Sequence, residues 1–407
     1  MPQEPALPWD HFLVGVNYWP QRKAMYWWKH FSIDEVRQDF ERIKQLGLEA
    51  VRFSLLWEDF QPERYKVDLK QMNNLEQVLE AADDLKLRAV PTLFTGHMSG
   101  HNWLPHWVTE MGDNQSRFPI VTNEGVTNRR IRALFADPAM LEAQLLHASS
   151  LANAFAKHPA ILFWDLGNES SNVDIPPSEE AAAEWAARLA EAIRSANPQA
   201  PVSCGCHAED LERDRRLGPM TMAESNDFLC MHGYSIYAAW AKHPLDSDVC
   251  PFLNTLTESL GRKRVLFEEF GICTAAPGQK SHYLDIPTRA GVLHQYFASE
   301  EEAATYYEEV LEKLWDAGSL GALAWCYGDY DQSLWGAPPC NTHVHERTFG
   351  LLRANGSPKP MAEVLQRFAA ERRPIKPLPP EKLFSGMDGY YRELPHSLTE
   401  RFQDFRG

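Results

Sequence analysis

Eight short apolar runs, separated by helix-patterned segments, leave this chain few folds to choose from. The runs are Phe12–Val16, Ala50–Phe53, Arg88–Leu93, Ile161–Asp165, Pro201–Cys204, Phe228–Met231, Val265–Phe267 and Gly321–Trp325. Between them apolar residues recur at steps of three and four. Ile33, Val36, Phe40, Ile43 and Leu46 form the first such series, and Leu75, Val78, Leu79, Ala82 and Leu85 the second. Tyr307, Val310, Leu311 and Leu314 repeat the pattern before the last run. Each series marks one buried helical face. Ser32, with Glu35 three residues on, predicts a capping box at the first helix. Eight strand–helix alternations predict an α/β fold, a (β/α)8 TIM barrel with long βα loops. The rival is an open doubly wound sheet, but no glycine-rich phosphate loop follows the first run. The barrel is expected over residues 1–370. The Pro-rich, basic stretch RRPIKPLPPEKLF lies in a C-terminal extension, 371–407, expected as an extended strap packed on the barrel. The longest insertion runs from Phe94 to about Pro138, after the third strand, on the side where barrel active sites lie.

A formal charge of −16 would repel phosphate, so nucleic acid and anionic membranes are excluded as partners. A neutral substrate fits better. The 13 tryptophans offer flat faces suited to sugar rings, although helix–sheet packing accounts for about half of them equally well. Seven cysteines, an odd and scattered number, predict buried free thiols rather than a disulfide framework. The start MPQEPALPWDHF has neither a basic nor an apolar segment of a signal peptide, and no run approaches the ~20 apolar residues of a spanning helix. A cytoplasmic protein is expected, with a secreted mature form as the alternative. No cofactor is expected.

Two of the strands lead into acids, in Trp164-Asp165-Leu166-Gly167-Asn168-Glu169 and Val265-Leu266-Phe267-Glu268-Glu269-Phe270-Gly271. A carboxylate beside a packed core is costly unless something uses it. Two of them facing each other across a sugar-sized gap make the geometry of a retaining glycoside hydrolase, with an expected spacing of roughly 5–5.5 Å. Glu269 is expected to raise the proton affinity of Glu169. Alternation chooses between the neighbouring acids: if Val265 and Phe267 point into the barrel, so does Glu269, and Glu268 points to the helices. The Asn168 amide is placed to bond a sugar 2-hydroxyl. His343-Val344-His345 resembles a metal-ligand pair, but no acid is spaced to complete a site, and no metal is expected.

The ordered set of motifs resembles clan A glycoside hydrolases, and family 5 most closely, along nearly all of the chain to about Ala370. By that resemblance Asn168-Glu169 supplies the acid/base and Glu269-Phe270-Gly271 the nucleophile. Arg52, in Val51-Arg52-Phe53, keeps the nucleophile ionised. In His232-Gly233-Tyr234 the tyrosine hydroxyl orients it, and Trp325 floors the first sugar subsite. His97, His101 and Trp103, after strand three, sit where the family places sugar contacts, as does Trp335 with His343 and His345 after strand eight. The chain departs at Ser170, where the family pattern has proline. The resemblance implies a retaining β-glycosidase. The strand-three and strand-eight loops and the stretch His345-Glu346-Arg347-Thr348-Phe349-Gly350-Leu351-Leu352-Arg353 lean toward manno-configured β-linkages, and the lack of a recognisable export signal favours short, imported oligosaccharides and β-mannosidase-like, exo action. The alternatives are an endo-β-mannanase or β-1,4-glucanase, with β-galactosidase behind. From other classes come a carbohydrate-binding barrel without catalysis and a metal-dependent amidohydrolase. The last would want His-x-His at strand one, where Val16-Asn17-Tyr18 stands.

Overall fold

The computed structural model describes residues 7–113, 115–288, 291–377 and 380–407. Eight parallel strands close into a barrel: β1 (Leu13–Asn17), β2 (Ala50–Ser54), β3 (Arg88–Thr92), β4 (Trp164–Asn168), β5 (Val202–His207), β6 (Leu229–His232), β7 (Val265–Phe270) and β8 (Gly321–Ala324). β8 pairs back onto β1, so the barrel has no free edge. Helices α1 (Ile33–Gln45), α2 (Leu69–Asp84), α3 (Pro138–Phe155), α4 (Glu179–Ala196), α5 (Val249–Gly261) and α6 (Glu300–Asp316) connect the strands, and α7 (Pro360–Ala370) follows the last. Only two four-residue helices, Glu209–Glu212 and Pro219–Met222, join β5 to β6. The capping box at α1 is half made. Ser32 accepts from the Glu35 N–H, but the Glu35 carboxylate turns to Lys23 at 2.6 Å.

The strands are apolar on both faces because both are covered. Leu13, Ala50, Val90, Cys230, Leu266 and Leu323, from six strands, meet in one buried cluster that fills the barrel interior. Trp9 caps this cluster, its indole N–H donating to Leu320 O at 3.1 Å and its ring packed edge-on against Phe228. Leu162 and Phe163 belong to the same plug. The regular part of β4 begins at Trp164, later than the apolar run implied, because Ile161 makes only an isolated bridge to Ala89 of β3 before Leu162 and Phe163 enter the plug.

The insertion after β3 folds into a small sheet of Gly96–Met98, His101–Trp103, Ile120–Thr122 and Gly125–Thr127. A hairpin of His282–Thr288 and Gly291–Phe297 follows β7 and was not foreseen in the sequence. The tail is only partly the expected strap. Its first residues run extended, with Phe12 N–H donating to Arg373 O and the Trp315 indole to Pro374 O. It then closes into short 3-10 turns and a helix, α8 (His396–Arg406). Leu398, Phe402 and Phe405 share one face of α8. Phe402 lies 5.0 Å from Phe252 and 4.7 Å from Trp240 between ring centroids. Phe402→Ala should therefore cost about 3–5 kcal/mol of stability. Urea unfolding checks this, and an unchanged midpoint would mean that the tail contributes nothing to the barrel. All seven cysteines are free and buried. Among the described residues no helix is long and apolar enough to cross a membrane.

Candidate active site

The C-terminal ends of the strands converge on Arg52, which is 2 % exposed and uses all five of its guanidinium N–H groups. Nη1 donates to Asn17 Oδ1 (2.9 Å) and Glu269 Oε1 (2.6 Å), and Nη2 to Asp165 Oδ2 (2.8 Å) and Asn168 Oδ1 (2.7 Å). Nε donates to Asp165 Oδ2 (3.1 Å) and pairs with Glu268 Oε1 (3.2 Å). Three carboxylates thus surround one cation. Burial and Glu268 push Asp165 up to about 6, against Arg52 and Thr92.

Two β-bulges make this convergence possible, and they overturn the alternation argument. Leu266 belongs to the barrel interior, whereas Val265 and Phe267 join the layer that includes the helices. By alternation Glu268, not Glu269, faces inward. Along β6 and β7, however, Met231 pairs with Phe267 and His232 with Glu269, so Glu268 is an extra residue in β7. The same count fails in β4, where Asp165 pairs with Ser203 but Asn168 with Gly205. An extra residue bends its strand and re-aims the side chains after it. Glu269 therefore reaches Arg52 together with Glu268, and Asn168 together with Asp165.

Glu169 follows the β4 bulge with φ 49°, a left-handed conformation that costs a non-glycine residue of order 1–3 kcal/mol. Ser170 stands where a proline would restrict the backbone of Glu169. Glu169 Oε1 lies 3.2 Å from His232 Nδ1, which is also 3.6 Å from Glu269 Oε1. The other ring nitrogen of His232 meets Glu268 Oε2 at 3.2 Å. Burial works against charge on His232, yet Glu269, Glu169 and Glu268 raise it to about 10. Burial likewise favours neutral Glu169, but His207, His232 and His97 outweigh it and hold the carboxyl well below its ordinary value. His97 itself is pushed down to about 4 by burial, so at neutral pH His232 carries positive charge against Glu169. The expectation that Glu269 would raise Glu169 thus fails in the resting site, because an imidazolium stands between the two acids. Tyr234 Oη donates to Glu269 Oε2 at 2.7 Å. Donor atoms of Glu169, His232 and Glu269 lie within 4.8 Å of one another, as metal ligands would.

These groups open into a cavity of ≈ 470 Å³, within the size range of small-molecule sites. Glu169, Glu269, Asn168, His232, Tyr234, Trp325 and His97 line it, as do His343 and His345. Arg52 acts from beneath. One Asn168 amide hydrogen is already given to His97 O. Three expected contacts lie elsewhere. Trp103 is buried against Tyr26, with its indole N–H on Met98 O. His101 is buried between Trp103 and His343. Trp335 donates to Tyr330 O and stacks under Arg347. Most of the other tryptophans are core residues, and among the described residues Trp325 is the one tryptophan lining the cavity. Sequence reasoning missed Asn17, Asp165, His207, Tyr237 and Glu346. Asp165 and Asn17 carried a readable signal, polar residues inside apolar strands. Glu346 lies in a stretch singled out for another reason.

The sequence profile described as Cellulase (glycosyl hydrolase family 5) matches residues 13–307, well over half of the chain. No curated protein sequence matches. Among solved structures, the exo-β-1,4-mannosidase Op5Man5 from Opitutaceae bacterium strain TAV5 is similar at 26% identity and TM-score 0.71. The match covers 89% of this chain and 60% of that enzyme, so this chain spans less than two thirds of its length. A GH5_18 variant from Streptomyces cattleya, in complex with Manβ1-4GlcNAc, shares the fold at TM-score 0.76 and 22% identity, over 97% of this chain and 90% of that one. A β-galactosidase from Marinomonas ef1 shares it more distantly, at TM-score 0.60 and 13% identity, over 88% of this chain and 59% of that one. With the profile match over most of the barrel, the chain belongs to glycosyl hydrolase family 5.

Proposed function

We propose that this protein is a retaining β-glycosidase that releases terminal manno-configured units from short β-linked oligosaccharides. One observation carries the retaining assignment: an oxygen of Glu169 lies within 4.8 Å of an oxygen of Glu269. Retaining pairs stand about 5–5.5 Å apart, inverting pairs about 6.5–9.5 Å, because the latter must admit a water. Glu269 attacks the anomeric carbon, with Oε1 held by Arg52 and Oε2 by Tyr234. Glu169 protonates the departing oxygen, then takes a proton from the water that frees the sugar. In the resting site that proton sits on His232, one 3.2 Å contact from Glu169. The pair hands it over in the first step and regains it in the second.

Exo action is supported by how the loops close one end of the cavity. After β3 the chain turns at Ser99-Gly100 and presses against the loop after β8. Ser99 Oγ donates to Glu346 Oε2 at 2.9 Å, and the His101 and His343 rings lie 5.2 Å apart. A polymer threading past Trp325 would meet this wall. The manno configuration is supported by the likeness to Op5Man5. A panel of p-nitrophenyl β-mannoside, β-glucoside and β-galactoside beside β-1,4-mannobiose and longer mannans tests both points. The expected result is fastest release from the mannoside and single-unit products; mid-chain products would assign endo action instead.

Two further outcomes test the chemistry. Glu169→Ala with azide should yield a glycosyl azide of retained configuration, and an inverted product would end the retaining reading. His232→Asn should move the alkaline limb of kcat/KM to lower pH. Without the imidazolium, Glu169 must hold its own proton, and a carboxyl releases it below the value of about 10 that His232 reaches. An unchanged limb would remove His232 from the proton path.

A further inference from the structure

We propose that Glu346, braced by Ser99, is a recognition group for a hydroxyl of the terminal sugar at the closed end of the cavity. The inference rests on the exo-glycosidase reading above and assigns a residue that double displacement does not use. Glu346 lies in the 3-10 turn Val344–Thr348 after β8 and is 7 % exposed, facing the same cavity as Glu169, Glu269 and Trp325. Two carboxylates suffice for the chemistry. Of the three other carboxylates lining the cavity, Glu209 is paired with Arg117 and Arg215 and Glu212 accepts from the Trp240 indole, whereas Glu346 has no arginine or lysine partner among the described residues and needs a reason of its own.

The surrounding construction points to positioning. Ser99 (φ 53°) and Gly100 (φ 73°) form the two-residue turn between Gly96–Met98 and His101–Trp103. Positive φ at both positions suits a hairpin turn, for which asparagine, aspartate and glycine are the usual residues. Serine here accepts that backbone while its hydroxyl reaches Glu346. Gly100 is required twice over, since a Cβ there would stand 2.2 Å from His343 Nε2. The turn is thus pressed onto the 343–346 loop, which fixes the Glu346 carboxyl from one side.

The other side of Glu346 is neutral and hydroxyl-compatible. His345 Nε2 lies 3.6 Å from Glu346 Oε1, and His345 Nδ1 is buried without a partner. Burial pushes His343 down to about 4 and His345 to about 3, so both rings offer one donor and one acceptor nitrogen at neutral pH. Burial raises Glu346 to about 7, helped by Glu269 and Glu169 and opposed by Ser99 and Trp325. A carboxyl raised this far can donate to a sugar oxygen when protonated and accept from a sugar hydroxyl in either state. A site built to bond a hydroxyl rejects an analogue lacking it, because its buried groups are then left unpaired.

The test compares wild type, Glu346→Gln, Glu346→Ala and Ser99→Ala on the best-cleaved of p-nitrophenyl β-mannoside, β-glucoside and β-galactoside, and on the 3-, 4- and 6-deoxy analogues of that substrate. Wild type should cleave one deoxy analogue at least about tenfold more slowly than the parent. Glu346→Ala should lower kcat/KM on the parent by the same factor yet leave that analogue within about twofold, erasing the discrimination. Glu346→Gln and Ser99→Ala should fall between. A uniform loss on all four substrates, with a lowered Tm, would show that Glu346 only ties two loops together and would overturn the proposal, as would no loss on the parent. Wild type releasing no p-nitrophenol from any of the three glycosides is a distinct result: it would overturn the glycosidase reading, and this assignment with it.

Discussion

Glu269→Ala is expected to lower kcat on an aryl β-glycoside by about 10⁴-fold or more while the protein still folds. The nucleophile cannot be replaced by its neighbour. Glu268 is fully buried, does not line the cavity, and is engaged by Arg52 and His232. Glu269 lines the cavity and is presented by Tyr234 and Arg52. Glu268→Gln keeps shape but removes a charge from the cluster, so it should retain measurable turnover where Glu269→Ala retains almost none. Steady-state kinetics on the two variants checks the contrast, and comparable residual rates would show that the bulge in β7 has been read in the wrong phase.

Arg52→Met should be the most damaging substitution for stability and a severe one for catalysis. It leaves Asp165, Glu268 and Glu269 around an uncompensated site, and breaking a buried ion pair from one side typically costs about 3–5 kcal/mol. Without the guanidinium, Glu269 Oε1 also loses the donor that holds it at 2.6 Å, so kcat should fall by at least about 10²-fold. Arg52→Lys should not rescue either effect, because one ammonium cannot reproduce a planar fork that serves five partners in the site. Thermal unfolding together with steady-state kinetics measures both. A stable Arg52→Met protein with an unchanged kcat would mean that the network is ornamental to folding and to the nucleophile.

Much of this fold was legible because its signals are local. Short apolar runs alternating with amphipathic helices follow from the need to bury a strand on two faces and a helix on one. That periodicity specified all eight barrel strands to within a few residues. It also placed Glu169 and Glu269 at strand ends, where a parallel barrel gathers them, whereas Arg52, His232, Tyr234 and Trp325 were marked out only by the resemblance to family 5. Trp103 and Trp335 stand off the cavity: an aromatic in a long loop serves packing as readily as binding, and local pattern does not separate the two. The hairpin after β7 and the tail helix were missed for a related reason: each is held by contacts with distant parts of the chain, such as Phe402 on Phe252.

By itself, the sequence determined the barrel, the order of its strands and the pair of acids at two of their ends, since these depend on residue type at fixed spacing. Only tertiary structure decided which way those acids face and where the resting proton resides. One extra residue in β4 and one in β7 shift the pairing register, and the inward-facing set changes with it. The charge states follow from His232 standing between three carboxylates contributed by two strands, a competition between burial and opposite charge that exists only once the barrel has closed.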